Sequence, residues 1–101
     1  MLSILIIEDD ITFSLMLKTW LGKKGFVVES ASLIQEAKRK IADTKFDLII
    51  SDLRLPDDDG IDLLKWLKEK GLSIPLIIMT GYAEIQTAVQ AMKLGAADYI
   101  A

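Results

Sequence analysis

Short apolar runs, rich in β-branched residues, alternate along this chain with stretches in which apolar residues recur every three to four positions. The clearest runs are at 5–7, 48–50 and 76–79. Alternation between these two periods predicts a βαβαβαβαβ order. Such an order favours a parallel sheet with helices on both faces, and near-continuous apolar strands are typical of that arrangement.

The strands are predicted at residues 3–7, 26–29, 47–51, 75–79 and 98–100. Asp10 can cap the first helix and Ser32 the second, since short polar side chains accept hydrogen bonds from free backbone N–H groups. A turn at Asp59 and Gly60 precedes the third helix, and Gly95 closes the fourth. The inward face of the second helix is predicted to carry Leu33, Ile34, Ala37 and Ile41.

The fold class predicted from this pattern is α/β, a flavodoxin-like doubly wound parallel sheet of five strands in the order 2-1-3-4-5. The length of 101 residues suits a single domain spanning 1–101.

Composition excludes several kinds of chemistry. The chain has no cysteine and no histidine, so thiolate, disulfide and imidazole mechanisms are absent. Its net charge of −3 argues against nucleic acid binding by this domain. No apolar run is long enough for a membrane span, and no basic segment precedes the first run as in a signal peptide. We therefore expect a cytoplasmic location.

Carboxylates and a hydroxyl follow the predicted strands. Glu8, Asp9 and Asp10 follow the first strand, Asp52 follows the third and Thr80 the fourth. In open α/β sheets, ligands bind beyond the carboxyl ends of the strands, at the point where strand order reverses. The first and third strands are neighbours in the order 2-1-3-4-5, so Glu8, Asp9 and Asp52 should meet at one edge.

Clustered carboxylates repel one another, and a hard divalent cation relieves that repulsion. Mg²⁺ prefers oxygen ligands and commonly combines one or two carboxylates with a phosphate. A metal beside a carboxylate also neutralises an incoming phosphoryl group, so Asp52 could attack phosphorus. The Thr80 hydroxyl could donate a hydrogen bond to a phosphoryl oxygen.

Structural interpretations of the same residues remain open at this point. The acids at 8–10 could cap the first helix, Asp52 could open the loop as a turn residue, and Thr80 could be an ordinary hydroxyl at a strand end. The acidic run 57–59 does not fit a calcium-binding EF-hand loop, because Leu55 and Trp66 would fall at the first and twelfth positions of that loop.

Four segments resemble the response-regulator receiver family of two-component systems. Their sequences are ILIIEDD at 4–10, DLRLP at 52–56 followed by DG at 59–60, MTGYA at 79–83 and GAADYI at 95–100. The resemblance extends along the whole chain, in the family's order. The sequence that follows Thr80 is most similar to that of receivers of the nitrogen-regulatory class.

This resemblance implies a phosphorelay function. Asp52 would accept a phosphoryl group from a partner sensor histidine kinase, with Mg²⁺ as cofactor. Glu8 and Asp9 would be metal-site acids beside Asp52, and the Arg54 backbone carbonyl a further metal ligand. Thr80 and Tyr99 would be the coupled switch residues. The output domains implied for the class are an AAA+ ATPase that activates alternative-sigma-factor polymerase and a helix-turn-helix, which regulate transcription.

One departure from the family lies at the end of the chain. The family places a Lys-Pro pair after the fifth strand, followed by a fifth helix, and neither occurs within these residues. We therefore expect a truncated receiver with the last helix missing. Since the first and fifth helices would share one sheet face, we also expect uncovered apolar residues there, among them Ile4, Ile6, Ile49 or Ile77. The expected consequence is association into homodimers or higher species, or a shifted terminal element.

Alternative functions differ in what they require. An aspartate-nucleophile phosphatase usually has a second acid two residues after the nucleophile, where this chain has Arg54. A non-phosphorylated protein–protein module of the same fold would need neither the acids nor the lysine. A flavin-binding flavodoxin would need a hydroxyl- and glycine-rich phosphate loop after the first strand, and none is present. The domain itself is thus expected to be a phosphoacceptor with self-catalysed phosphotransfer, not a separate enzyme.

Overall fold

The computed structural model describes residues 1–81 and 85–100, which form five strands and four helices. The strands are β1 (Ser3–Ile7), β2 (Val27–Ala31), β3 (Leu48–Asp52), β4 (Leu76–Met79) and β5 (Asp98–Ile100). The helices are α1 (Ile11–Lys23), α2 (Ile34–Asp43), α3 (Gly60–Glu69) and α4 (Ile85–Lys93).

The strands form one parallel sheet in the order β2-β1-β3-β4-β5, which confirms the predicted fold class and strand order. The register pairs Ile7 with Ser51 and Asp52 with Met79. Consequently the residues that follow β1, β3 and β4 lie side by side along one edge of the sheet.

Helices cover the two faces of the sheet unequally. α2, α3 and α4 pack on one face and bury the larger apolar core, which includes Ile34, Leu63 and Ala91. α1 lies on the other face, where the buried cluster is smaller and consists of Ile4, Ile6 and Leu21. Leu48 and Ile50 are only half-buried at the margin of that smaller cluster.

The prediction of which apolar residues are uncovered on this face was partly wrong. Ile4, Ile6 and Ile49 are almost fully buried. Alternation along the strand places Ile49 on the larger core, so that Ile50 faces the α1 side instead. Ile77 is half-buried, as expected for a partly covered position, and Ile100 is 47% exposed.

The predicted cap and inward face of α2 also need correction. The helix begins at Ile34, its N-cap residue is Leu33, and Leu33 makes no side-chain capping bond. Ser32 does not cap the helix, because its backbone N–H donates to Glu36 Oε1 at 2.9 Å and its hydroxyl also lies against that carboxylate. Leu33 is 37% exposed and does not belong to the core.

Element boundaries differ from the predicted ones by small amounts. β2 starts at Val27 and continues to Ala31, because each of its residues pairs with β1. Asp10 caps α1 as predicted, accepting the Phe13 N–H at 3.0 Å. None of the helices in the described part of the chain combines the length and the apolar character needed to cross a bilayer.

Candidate functional site

Three carboxylates meet at the carboxyl edge of the sheet. Glu8 and Asp9 follow β1, and Asp52 is the last residue of the neighbouring strand β3. One carboxylate oxygen from each lies within 4.8 Å of the others, a spacing that would allow all three to hold one metal ion. The structure thus brings together the three acids that the sequence predicted to be neighbours.

Burial and the nearby carboxylates perturb the ionisation of Glu8. Its carboxyl group is half-buried, and this burial, together with the charges of Asp52 and Asp9, raises its pKa to about 7. The Asp10 N–H donates to Glu8 Oε2 at 3.1 Å and partly offsets the rise. A carboxyl group with a pKa near neutrality marks a place where the protein accumulates negative charge at a cost, which a divalent cation would remove.

Asp10 has a different structural role from Glu8 and Asp9. Its carboxylate accepts the N–H of Phe13 and so caps α1, whereas Glu8 and Asp9 point into the acidic group. The capping interpretation therefore applies to Asp10. Glu8 and Asp9 remain available as metal ligands, and their oxygen donors fit a hard cation such as Mg²⁺.

A solvent-connected cavity of about 340 Å³ adjoins the acids. Glu8, Asp52 and Thr80 contribute polar groups to its wall, and Thr80 is almost fully buried at 8% exposure. The Thr80 N–H donates to the Ile100 carbonyl at 3.0 Å, which fixes its backbone at the end of β4. The remaining lining residues are Phe13, Met79, Gly81 and Ile100, to which the sequence analysis assigned no individual role in the site.

Backbone hydrogen bonds shape the loop that follows Asp52. The Gly60 N–H donates to the Leu53 carbonyl at 2.7 Å, and the Leu55 N–H donates to the Asp58 carbonyl at 3.0 Å. These bonds flank an antiparallel bridge between Arg54 and Asp59. In such a pair, the N–H and C=O of Arg54 point away from the Asp59 limb of the loop. The orientation is compatible with the predicted use of the Arg54 carbonyl as a metal ligand.

Small side chains support the position of Asp52 itself. The Ser51 hydroxyl is fully buried and donates to the Asp52 carbonyl at 2.8 Å. The Leu53 N–H donates to Asp52 Oδ1 at 2.7 Å, which fixes the rotation of the carboxylate. Gly60 approaches so closely that a Cβ there would lie 3.0 Å from the Asp52 carbonyl oxygen. Ser51 and Gly60 gave no sequence signal for this role beyond the Asp-Gly turn.

The second predicted switch residue lies apart from the cavity. Tyr99 is half-buried, pairs with Ile78 in the sheet and packs against the larger core. Thr80 therefore follows β4, and Tyr99 lies on the adjacent strand β5, on the α2–α4 side of the sheet. Tyr82 and Ala83 of the predicted switch segment, and Ala101, lie outside the described residues.

Another acidic group lies at the start of α3. Asp58, Asp59 and Asp62 bring carboxylate oxygens within 4.8 Å of one another. Asp59 is the N-cap and accepts the Asp62 N–H at 2.8 Å, while the Asp58 carboxylate, as acceptor of a hydrogen bond from protonated Asp62, raises the pKa of Asp62. Capping of α3 accounts for this group, in agreement with the turn and helix start predicted at Asp59 and Gly60.

The sheet order and the acidic edge define a class of protein: doubly wound α/β domains with a carboxylate pocket suited to a divalent cation and a phosphoryl group. Comparison with known proteins makes the class specific, because the family model of the response regulator receiver domain matches residues 4–101. The chain belongs to the response regulator receiver domain family, whose members are in general phosphoacceptors with an acidic, Mg²⁺-binding pocket.

Curated relatives are regulatory proteins by name. The transcriptional regulatory protein ZraR of Klebsiella oxytoca is 40% identical over 97 residues, which are 96% of this chain and 22% of that protein. The regulatory protein AtoC of Escherichia coli is 38% identical over 97 residues, covering 96% of this chain and 21% of that protein. The chain thus spans about a fifth of the length of these relatives.

Solved structures agree with the fold. The non-phosphorylated HemR receiver domain from Leptospira biflexa superposes with a TM-score of 0.92 at 36% identity, over 99% of this chain and 81% of that one. The BeF3-activated receiver domain of Klebsiella pneumoniae RstA has a TM-score of 0.91 at 28% identity, over 97% and 83% of the two chains.

Proposed function

We propose that Asp52 accepts a phosphoryl group from a phosphohistidine of a partner sensor kinase, and that the resulting aspartyl phosphate switches an output domain. The observation that carries this proposal is the meeting of Glu8, Asp9 and Asp52 within 4.8 Å of one another, beside a cavity that also contains Thr80. The BeF3-activated form of the RstA receiver supports it, since that relative takes up a phosphoryl-like group.

The chain's own residues account for the nucleophile. A carboxylate oxygen of Asp52 would attack phosphorus, the new P–O bond would form as the P–N bond to imidazole breaks, and the leaving imidazole would keep the electron pair of that bond. The Leu53 N–H orients the carboxylate by its bond to Oδ1. Thr80, at the wall of the same cavity, would donate its hydroxyl hydrogen to a phosphoryl oxygen.

Glu8, Asp9, Asp52 and the Arg54 carbonyl would hold Mg²⁺. When bound, the cation supplies positive charge that offsets repulsion between the carboxylates and the incoming phosphoryl oxygens. The raised pKa of Glu8 fits this use, because burial and the charges of Asp52 and Asp9 disfavour its ionised form and a bound cation would favour it. Within the described part of the chain, Lys40 of α2 and Glu29 of the edge strand β2 form an ion pair at 3.4 Å, which lies away from this pocket.

A surface for the kinase lies beside the acids. Ile11 and Leu15, one turn apart on α1, are 78% and 63% exposed. With Lys18 and Glu8 they line a groove that runs from α1 past the end of β2 to Glu36 in the first turn of α2. A helical partner that covered these apolar side chains would bring its histidine to the edge where Asp52 lies. For the output, the name of ZraR supports a role in transcriptional regulation, and we propose the ATPase and helix-turn-helix arrangement of the nitrogen-regulatory class.

Acetyl phosphate with Mg²⁺ tests the phosphoacceptor directly. The assay should use the full-length gene product, because the relatives extend well beyond the matched residues. We expect one phosphoryl group, on Asp52, that is removed by base or hydroxylamine. Asp52→Asn should abolish labelling, whereas the helix-capping acid Asp10 can be replaced in Asp10→Asn as the matched control and should leave labelling intact. Label on Ser51 or Thr80, or no label, would contradict the assignment.

A further inference from the structure

Asp57 joins two elements that are distant in sequence. It lies in the loop between β3 and α3, and its carboxylate accepts two backbone N–H groups at the start of α2. The Ile34 N–H donates to Oδ1 and the Gln35 N–H to Oδ2, each at 2.9 Å. Nothing in the sequence marked this contact, because a cap normally comes from the residue just before the helix.

α2 needs such a contact because its own cap is missing. The first N–H groups of a helix have no partner within the helix. Leu33 at the N-cap position has an apolar side chain, and Ser32 is engaged with Glu36. Slight burial opposes ionisation of Asp57, but the hydrogen bonds from Gln35 and Ile34 outweigh it and lower its pKa. An ionised carboxylate is also favoured by the positive end of the helix dipole.

The other end of this connection is the loop beside the phosphoacceptor. Asp57 lies at the tip of a turn closed by the Leu55–Asp58 hydrogen bond, and the base of the same loop is closed by the Gly60–Leu53 bond. At its base the loop is joined to the sheet through the Leu53 N–H and the Met79 carbonyl, at 3.2 Å. Without Asp57, the tip would lose these two hydrogen bonds to α2. The loop would then be held by its own backbone bonds, by the Leu53–Met79 bond and by the packing of Leu53 and Leu55 against the larger core.

We propose that Asp57 is a positioning residue, which ties the phosphoacceptor loop to α2 and so holds the Leu53–Arg54 backbone beside Asp52. The proposal rests on the proposed function only in that this backbone would supply a metal ligand. A carboxylate that served merely as a helix cap could be replaced by one on α2 itself, with no effect on the loop. A tether cannot be replaced in that way, and this difference can be measured.

Three variants separate the two roles. Asp57→Ala removes both the cap and the tether. Leu33→Asp combined with Asp57→Ala restores a cap on α2 but leaves the loop without its tether. Leu33 suits this change because its side chain is 37% exposed and its backbone is extended, as is usual at N-cap positions. Asp58→Asn is the charge control, since it removes a negative charge from the same loop without touching α2.

Amide hydrogen exchange and Mg²⁺ titration calorimetry give the readouts. In Asp57→Ala we expect exchange at Leu55 and Gly60 to accelerate, and the Mg²⁺ dissociation constant to rise, each by about threefold to tenfold, as for loss of one capping interaction. The double variant should regain thermal stability and protection at Gln35, but keep the fast loop exchange and the weakened Mg²⁺ binding. Asp58→Asn should change Mg²⁺ affinity by less than about twofold.

The proposal is overturned if the double variant also regains slow exchange at Leu55 and Gly60, because Asp57 would then be a helix cap only. It is equally overturned if Asp57→Ala leaves loop exchange unchanged. Failure of the metal site is a separate outcome: if the unmodified protein gives no Mg²⁺ heat, the proposed function loses its cofactor, while the exchange rates still decide whether Asp57 ties the loop.

Discussion

Removing the charge of Asp52 should stabilise the metal-free protein. Asp52→Asn keeps the Oδ1 acceptor for the Leu53 N–H and removes one of three carboxylate charges whose oxygens lie within 4.8 Å of one another. At that separation, with an effective dielectric constant near 20, each like-charge pair costs about 3.5 kcal/mol. Because Asp9 is exposed and the other two acids are half-buried, water screens much of this repulsion, and we expect a gain of about 1–2 kcal/mol.

The assay is thermal unfolding followed by circular dichroism in EDTA at pH 8, where Glu8 is ionised since its pKa is about 7. For a domain of this size, the midpoint should rise by roughly 4–8 °C per kcal/mol. Adding Mg²⁺ at ten times its dissociation constant should stabilise the unmodified protein by about 1.4 kcal/mol, and Asp52→Asn by much less. At pH 5.5 the advantage of Asp52→Asn in EDTA should shrink, because Glu8 is then largely protonated.

Glu69→Gln is the matched control, since it makes the same change in net charge at the last residue of α3, away from the acidic edge. It should alter stability by less than about 0.5 kcal/mol. If Asp52→Asn is no more stable than the unmodified protein in EDTA at pH 8, the three acids do not repel one another measurably, and the electrostatic reason for expecting a cation there is refuted.

Three further predictions concern pH, packing and association. In the folded protein the pKa of Glu8 is about 7 against a usual 4.5, so the metal-free folded state binds more protons than the unfolded state between those pH values. The free energy of unfolding, measured in urea, should therefore fall as pH rises from about 4.5 to 7. A flat pH profile in Glu8→Gln would confirm Glu8 as the cause, whereas an unchanged slope would exclude it. Gly60→Ala should destabilise the protein by about 1–3 kcal/mol and weaken Mg²⁺ binding, because the added Cβ would lie 3.0 Å from the Asp52 carbonyl oxygen. Gly22→Ala is the control, since a Cβ at Gly22 has no neighbouring atom within 4 Å, and it should have neither effect. The 101-residue polypeptide should associate as its concentration rises, because Leu48, Ile50 and Ile77 on the α1 face of the sheet are only half-buried and Ile100 is 47% exposed. Light scattering that finds only monomers at the highest soluble concentration would show that this face needs no cover.

The sequence alone determined the architecture and the members of the acidic site. Alternating apolar periods gave the five strands and four helices, because the two kinds of element bury apolar side chains at different spacings. The right-handed crossover and the usual doubly wound order then placed the ends of β1 and β3 together. For this reason Glu8, Asp9 and Asp52 could be assigned to one edge before any contact was known.

Only the tertiary structure decided which face each strand residue uses and which groups meet across the chain. The prediction that Ser32 caps α2 failed, because Glu36 engages Ser32 and the capping carboxylate comes from Asp57, 23 residues after Ile34. Ile49 and Ile50 are identical residues next to each other in the sequence, yet only Ile49 lies in the larger core. The raised pKa of Glu8 likewise depends on burial and on the distance to Asp52. Local sequence determines the spacing of apolar residues and the preference of each segment for helix or strand, whereas contacts between distant segments depend on how the elements pack against one another.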